Sequence, residues 1–218
     1  MLRQDGVSPI PMTDPHENTM PTSLHRMRLV VAGDVIPLFF RLLQQGVQVT
    51  GTVGGSIGSF LREDLCLEKG FVDTMVQTVF LDGMPVDDIE TINIKQGSTV
   101  ALSGPMPGVA GATLRRGGYY GSMRKEISCR PEAPGGDVKK GTVIIKLFNV
   151  LTQSLGPGFL EKGLGVRGRD LGALLRDHET LLTRAFRNAE LDGRPADLRT
   201  VMGEAEGDER LALQVVAG

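Results

Sequence analysis

The chain has 218 residues, of which 40% are hydrophobic and 23% charged, with a formal net charge of −2. Such proportions are ordinary for a folded, water-facing protein and leave one large or two small domains open. The near-neutral charge argues against a general polyanion binder, and the lack of Trp argues against a base-stacking platform, so nucleic acid is not an expected partner.

No apolar run is long enough to span a bilayer, and no charged-then-apolar leader pattern opens the chain. Cys66 and Cys129 stand far apart with no CxxC context and read as reduced thiols, which sets the expectation of a cytoplasmic protein.

Residues 1–26 carry Pro9, Pro11, Pro15 and Pro21 among polar side chains and are read as a disordered tail. His16 and His25 fall in it without a carboxylate or Cys cluster, so no metal site is expected. A short strand follows at Met27–Val31. Asp34 is placed to cap a helix from Val35 to Leu43, with Pro37 in its first turn and Gly46 as its stop. Val47–Thr50 alternates as a strand, Gly54–Gly55 turns, and Ser56 caps a helix through Ile57, Phe60, Leu61 and Leu65. Val76–Leu81 is a strand running into an Asp82–Gly83 hairpin turn, and Thr99–Leu102 is another. Between Gly104 and Gly141 glycine, proline and basic residues predominate, which predicts a linker or long loop without long helices. Thr142–Phe148 then reads as a strand and Gly165–Gly168 as a short extended piece. Asp170 is read as the cap of a helix over Leu171–Leu182, and Leu211–Val216 as the last strand.

A phrase occurs twice. Leu81-Asp82-Gly83-Met84-Pro85-Val86-Asp87 returns as Leu191-Asp192-Gly193-Arg194-Pro195-Ala196-Asp197. Gly97-Ser98 and Gly207-Asp208 lie equally far downstream of their copies. Upstream, Ile57–Glu63 resembles Leu171–Asp177, and Leu38-Phe39 resembles Leu147-Phe148. Matches in one order point to two copies of one unit. Asp-Gly supplies the positive-φ pair of a tight turn, so Asp82 and Asp192 are read as turn formers and not as catalytic acids.

The second copy, from the strand Val143–Leu147 through the helix at Asp170–Leu175, the Asp192–Gly193 turn and the ending Val215-Val216-Ala217-Gly218, resembles the ubiquitin-like β-grasp sulfur carriers. These are the molybdopterin-synthase small subunit and the thiamine sulfur carrier. The first copy shows the same order and a similar tail, Pro105–Gly111. The resemblance implies an α+β fold of two tandem β-grasp units, each a mixed sheet packed on a helix: residues 27–111 and 141–218, joined by a basic Gly/Pro-rich linker at 112–140. Carriers of this family are activated at a terminal Gly-Gly, whereas this chain ends Ala217-Gly218. The run Leu114-Arg115-Arg116-Gly117-Gly118 resembles a ubiquitin tail but is internal.

Thr52–Gly58 is either a phosphate cradle at a helix start or a plain N-capped turn. It lacks a P-loop Lys, which favours the turn. His178 has Asp177 and Glu179 as neighbours, and adjacent helical residues point apart, so no dyad results. Exposed guanidiniums beside flexible backbone bind anions well, which singles out Arg115, Arg116, Tyr119, Tyr120, Arg124 and Lys125 as the candidate ligand or partner site. No catalytic residues and no cofactor are assigned. The leading expectation is a non-enzymatic binding protein, taking a protein partner, a second copy of itself or a small anionic ligand. The alternatives are a divergent sulfur carrier activated at Gly218 and an enzyme acting on a phosphorylated or anionic small molecule.

Overall fold

A computed structural model describes residues 24–124, 128–130 and 137–218; Lys125 and the tail before Leu24 lie outside them. Alternation sets the first strand. β1 (Arg26–Val31) buries Met27, Leu29 and Val31, each contributing roughly 1.5–3 kcal/mol by leaving water. A 3-10 helix, Gly33–Phe39, leads into α1 (Phe40–Gln45), which Gly46 ends at φ 118°. Asp34 is not the cap. Ala32 holds that position with no side-chain bond, and Pro37, having no N–H to give back along the helix, leaves the chain in tighter 3-10 turns. β2 (Val47–Val53) alternates buried and half-buried residues throughout. Ser56 does cap α2 (Ile57–Ser59), accepting the Ser59 N–H at 3.1 Å, and the helix runs on as a π turn over Phe60–Asp64.

After α3 (Lys69–Met75) come β3 (Thr78–Leu81), β4 (Met84–Pro85) and β5 (Thr99–Ser103). The basic segment contains α4 (Gly108–Leu114), so the tail-like Pro105–Gly111 stretch enters a helix, and a 3-10 turn at Tyr119–Arg124. β6 (Lys139–Phe148) is followed by α5 (Val150–Lys162), where the sequence offered no element. Gly156, Pro157 and Gly158 mask this helix, yet Leu151, Leu155, Phe159 and Leu160 give it a buried face. Gly156 is small for a reason: a Cβ there would lie 2.6 Å from the Phe40 ring.

β7 (Leu164–Arg167) enters α6 (Gly168–Asp177), which starts before Asp170. The Gly168 and Arg169 N–H groups donate to the Glu209 and Gly207 carbonyls, so backbone caps this helix and no carboxylate is needed. His178, at φ −121° and ψ 20°, divides it from α7 (Glu179–Ala185). β8 (Phe186–Leu191), β9 (Arg194–Ala196), α8 (Leu198–Glu204) and β10 (Arg210–Ala217) complete the chain.

The fold is α+β, with one mixed ten-stranded sheet ordered β4-β3-β5-β6-β2-β7-β10-β1-β8-β9. The sheet does not part at the basic segment. β6, which follows that segment, lies between β5 (parallel) and β2 (antiparallel). β1, which opens the described chain, lies between β10 (parallel) and β8 (antiparallel). Each half of the sheet thus contains a strand from the far part of the sequence, and the Gln48–Gly165 pairing joins the halves at the centre. α1 and α5 pack on each other, α1 against β6 and α5 against β6 and β10, and the buried residues of both halves form one apolar cluster.

The repeated phrase marks equivalent hairpins. Asp82 and Asp192 sit at φ 50° and 48°, followed by Gly83 and Gly193 at 86° and 77°, the turn that the Asp-Gly pairs predict. Each Asp also fixes the start of a neighbouring strand. Asp82 accepts the Thr99 N–H at 2.6 Å, at the head of β5, and Asp192 accepts the Arg26 N–H at 2.8 Å, at the head of β1. The match of Leu38-Phe39 with Leu147-Phe148 does not survive, because the first pair is helical and the second ends β6. The true correspondence runs through Gly46 and Gly163, the positive-φ glycines before β2 and β7.

Two outcomes are expected. If the chain is cut between Arg130 and Asp137, neither fragment holds all the strands of its half. Each alone is expected to lack native circular dichroism, and the mixture to regain it; two independently folding fragments would refute the arrangement. The second concerns His25, whose Nδ1 lies 2.9 Å from Asp192 Oδ2. That hydrogen bond raises the His25 pKa and lowers that of Asp192. The imidazole's contribution is present below its ordinary pKa and lost as pH rises through the raised one. The carboxylate's is present above its ordinary pKa and lost as pH falls through the lowered one. The pair therefore acts in the window bounded below by the lowered Asp192 pKa and above by the raised His25 pKa. His25→Gln should flatten the pH dependence of the urea midpoint at the upper end of that window.

Candidate functional site

The basic segment is fastened to the body by its own arginines. Arg116 donates its backbone N–H to Gln77 O at 2.7 Å. Its Nη2 donates to Val72 O and Val76 O at 3.1 and 3.3 Å, meeting carbonyls at the C-terminal end of α3, where positive charge is favoured. Arg124 is only 6% exposed. Its Nη2 donates to Asp87 Oδ1 at 2.7 Å and to Arg115 O at 3.0 Å, while Ser128 Oγ donates to Asp87 Oδ2 at 2.9 Å. Nε and Nη1 of Arg124 are buried and have no hydrogen-bond partner. Cys129 N–H donates to Pro85 O at 2.9 Å, and burial pushes the Cys129 thiol pKa up.

With Arg116 and Arg124 turned inward, the outward groups among the described residues of the site are Arg115, Tyr119 and Tyr120. Tyr119 is 89% exposed and Tyr120 44%, their rings edge to face at 5.3 Å. Beside them the chain forms an open cleft of about 660 Å³ between α3, the Asp87–Glu90 loop and Arg116–Gly117. Four carboxylates line it (Asp73, Asp87, Asp88, Glu90) against three cations (Arg62, Lys69, Arg116). Arg62 and Glu90 form a bidentate pair at 2.6 and 2.8 Å, which holds the Glu90 carboxyl below its usual range. The cleft is thus of mixed charge, with Asp87 and Glu90 already paired with Arg124 and Arg62.

Asp87 was legible only as the last residue of the repeated phrase. Its counterpart Asp197 does different work, capping α8 by accepting the Thr200 N–H at 2.8 Å. The divergence after a shared phrase is the signal that marks Asp87 as the anchor of the basic segment.

The glycine-rich turn at Thr52–Gly58 is a plain capped turn. Gly54, Ile57 and Gly58 donate their N–H groups to Ile94, Ile92 and Ile89 carbonyls at 2.7, 2.9 and 2.8 Å, leaving none of these three for a phosphate. Ala217 is paired with Val31, and the Gly218 N–H donates to Val31 O at 3.0 Å, so both tail residues lie in the ladder beside β1. His178 stands at the α6–α7 junction, and Cys66 and Cys129 are free thiols. Among the described residues, no group of three or more His, Cys, Asp or Glu is placed to hold a metal ion, and no helix is long and apolar enough to cross a membrane.

No protein family matches the chain, and no characterised protein or solved structure matches it. Its chemistry is therefore read from its own geometry.

Removing the Arg124 guanidinium strips the buried side of Asp87 of its charge partner. Arg124→Met is expected to cost about 1–3 kcal/mol in urea unfolding, the range for losing a charge-assisted bond to a half-exposed carboxylate. It should also speed tryptic cleavage at Arg115 and Arg116, a readout of the segment coming away from the body.

Proposed function

We propose that the chain is a binding protein built from two β-grasp-like halves, and that a partner protein docks on the Arg115–Tyr120 turn and the adjoining cleft. In support of the fold reading, each half has a central parallel pair, β5 with β6 or β10 with β1, flanked by antiparallel neighbours and packed on helices. The observation that carries the functional reading is the opposite disposition of the arginines and tyrosines. Two guanidiniums are used inward to hold the segment in place, and two aromatic rings are left outward on it.

A flexible anion-binding loop would direct its guanidiniums outward. A pre-ordered loop carrying tyrosines beside a groove suits a protein interface, where Tyr offers large contact area at low entropic cost. Asp73 and Asp88, facing the cleft beside Lys69 and Arg116, favour a partner that brings polar and charged side chains of both signs to it.

The test is affinity capture by the full chain and by Tyr119→Ala/Tyr120→Ala, with His25→Gln, remote from the turn, as control. A specific interactor retained by wild type and His25→Gln, and weakened about tenfold or more in the tyrosine variant, supports the reading. Equal retention by all three, at equal thermal stability, overturns it.

A further inference from the structure

The two halves provide an internal control for one backbone oddity. Gly46 and Gly163 end the helical segments that follow β1 and β6. Counting back the same distance from each glycine places Ala32 and Asn149 at equivalent strand-to-helix junctions. Ala32 turns the chain at φ −61° and ψ 141°, open to any residue. Asn149 turns it at φ 56° and ψ −138°, a combination that strains most side chains and that glycine adopts freely. The shared strand-to-helix order does not by itself demand this strain, because Ala32 leads from β1 into its 3-10 helix without it.

Asn149 lines an open cleft of about 500 Å³ between α1, α5 and the α6–α7 junction, none of whose lining residues belongs to the tyrosine turn or its cleft. Its Nδ2 is fixed by donating to Ser103 Oγ at 2.9 Å. Phe40 and its apolar neighbours form one wall, and Arg41, Gln44, Gln153 and His178 supply polar groups. No carboxylate lines this cavity, in contrast to the cleft beside the tyrosines. Arg41 gives Nη1 to Asp177 at 2.8 Å, which orients the guanidinium and leaves its other N–H groups available. The lining thus sets side-chain amides about one cation oriented by its ion pair with Asp177, against an aromatic side chain, in a volume suited to a small molecule.

We propose that this cavity binds a small organic carboxylate: the acid group at Arg41 with the side-chain amides about it, and the apolar body against Phe40. The strained backbone of Asn149 is retained because it brings an amide to the site that Ala32 does not provide in the other half. The inference stands apart from the partner-docking reading, since it uses different residues on different elements.

The probe is benzoate, titrated into the full chain by calorimetry and by nitrogen-15 NMR, with neutral benzamide as its uncharged counterpart. Saturable binding of benzoate is expected, with shifts at residues of α1 and the start of α5, and benzamide about tenfold weaker or more. Gln153→Glu places a negative charge at an exposed position of the lining and should weaken benzoate about tenfold with the melting temperature of the free protein little changed. Asn149→Gly fits the backbone without strain and removes the amide, so it should fold and bind more weakly. Absence of saturable binding, equal affinity for benzamide, or undiminished binding by both variants overturns the proposal. Tyr119→Ala/Tyr120→Ala should bind benzoate as wild type does, which separates this site from the partner surface.

Discussion

Hydrogen bonds on both sides of β1 hold the molecule together. From Arg26 to Val31 the strand pairs with β10 along one edge, and from Met27 to Val31 with β8 along the other. Between β5 and β2, β6 does the same for the other half. Without β1, β8 and β10 would be left with unpaired backbone groups at the middle of a sheet, where each such group costs free energy unless water or another strand replaces it. The two hairpin aspartates serve this arrangement directly, since Asp82 and Asp192 bind the first N–H groups of β5 and β1. Pairing across the whole length of the sequence makes the halves interdependent, so the single apolar cluster beneath them follows from the strand order.

The same interdependence explains how the basic segment is displayed. It leaves the sheet at the end of β5 and returns as β6, whose register is set on both sides by neighbours of the first half. Arg116 at α3 and Arg124 at Asp87 then fasten the intervening chain from within. In a segment whose composition suggests a loose linker, the described stretch from Arg115 to Arg124 is thereby held against the body, with Arg116 and Arg124 turned toward carbonyls and a carboxylate and the two tyrosine rings toward solvent.

Local steric signals were readable in the sequence. The Asp-Gly pairs, the Ser56 cap, the glycine stop at Gly46 and the Gly97-Ser98 turn each encode a backbone angle or one hydrogen bond, and each is found. The helix α5 was hidden because Gly156, Pro157 and Gly158 are breakers by propensity, and only the fit of Gly156 against Phe40 explains their place in it. Strand order was not readable, because β1 and β6 carry the same alternation whichever neighbours they take. At the candidate site, the residue types Arg and Tyr were apparent from composition. Which of them face inward was not, since that depends on Asp87 and on α3 carbonyls contributed from elsewhere in the chain.

The exchange of first strands also bears on synthesis. A ribosome delivers β1 early, while its two neighbours β8 and β10 are among the last described strands to emerge. For most of translation an apolar strand therefore waits with both edges open, a condition that favours mispairing with other nascent chains. The native sheet closes only once β10 has emerged. Completion of the sheet is thus expected to wait for that strand, under the protection of whatever shields exposed strands in the meantime.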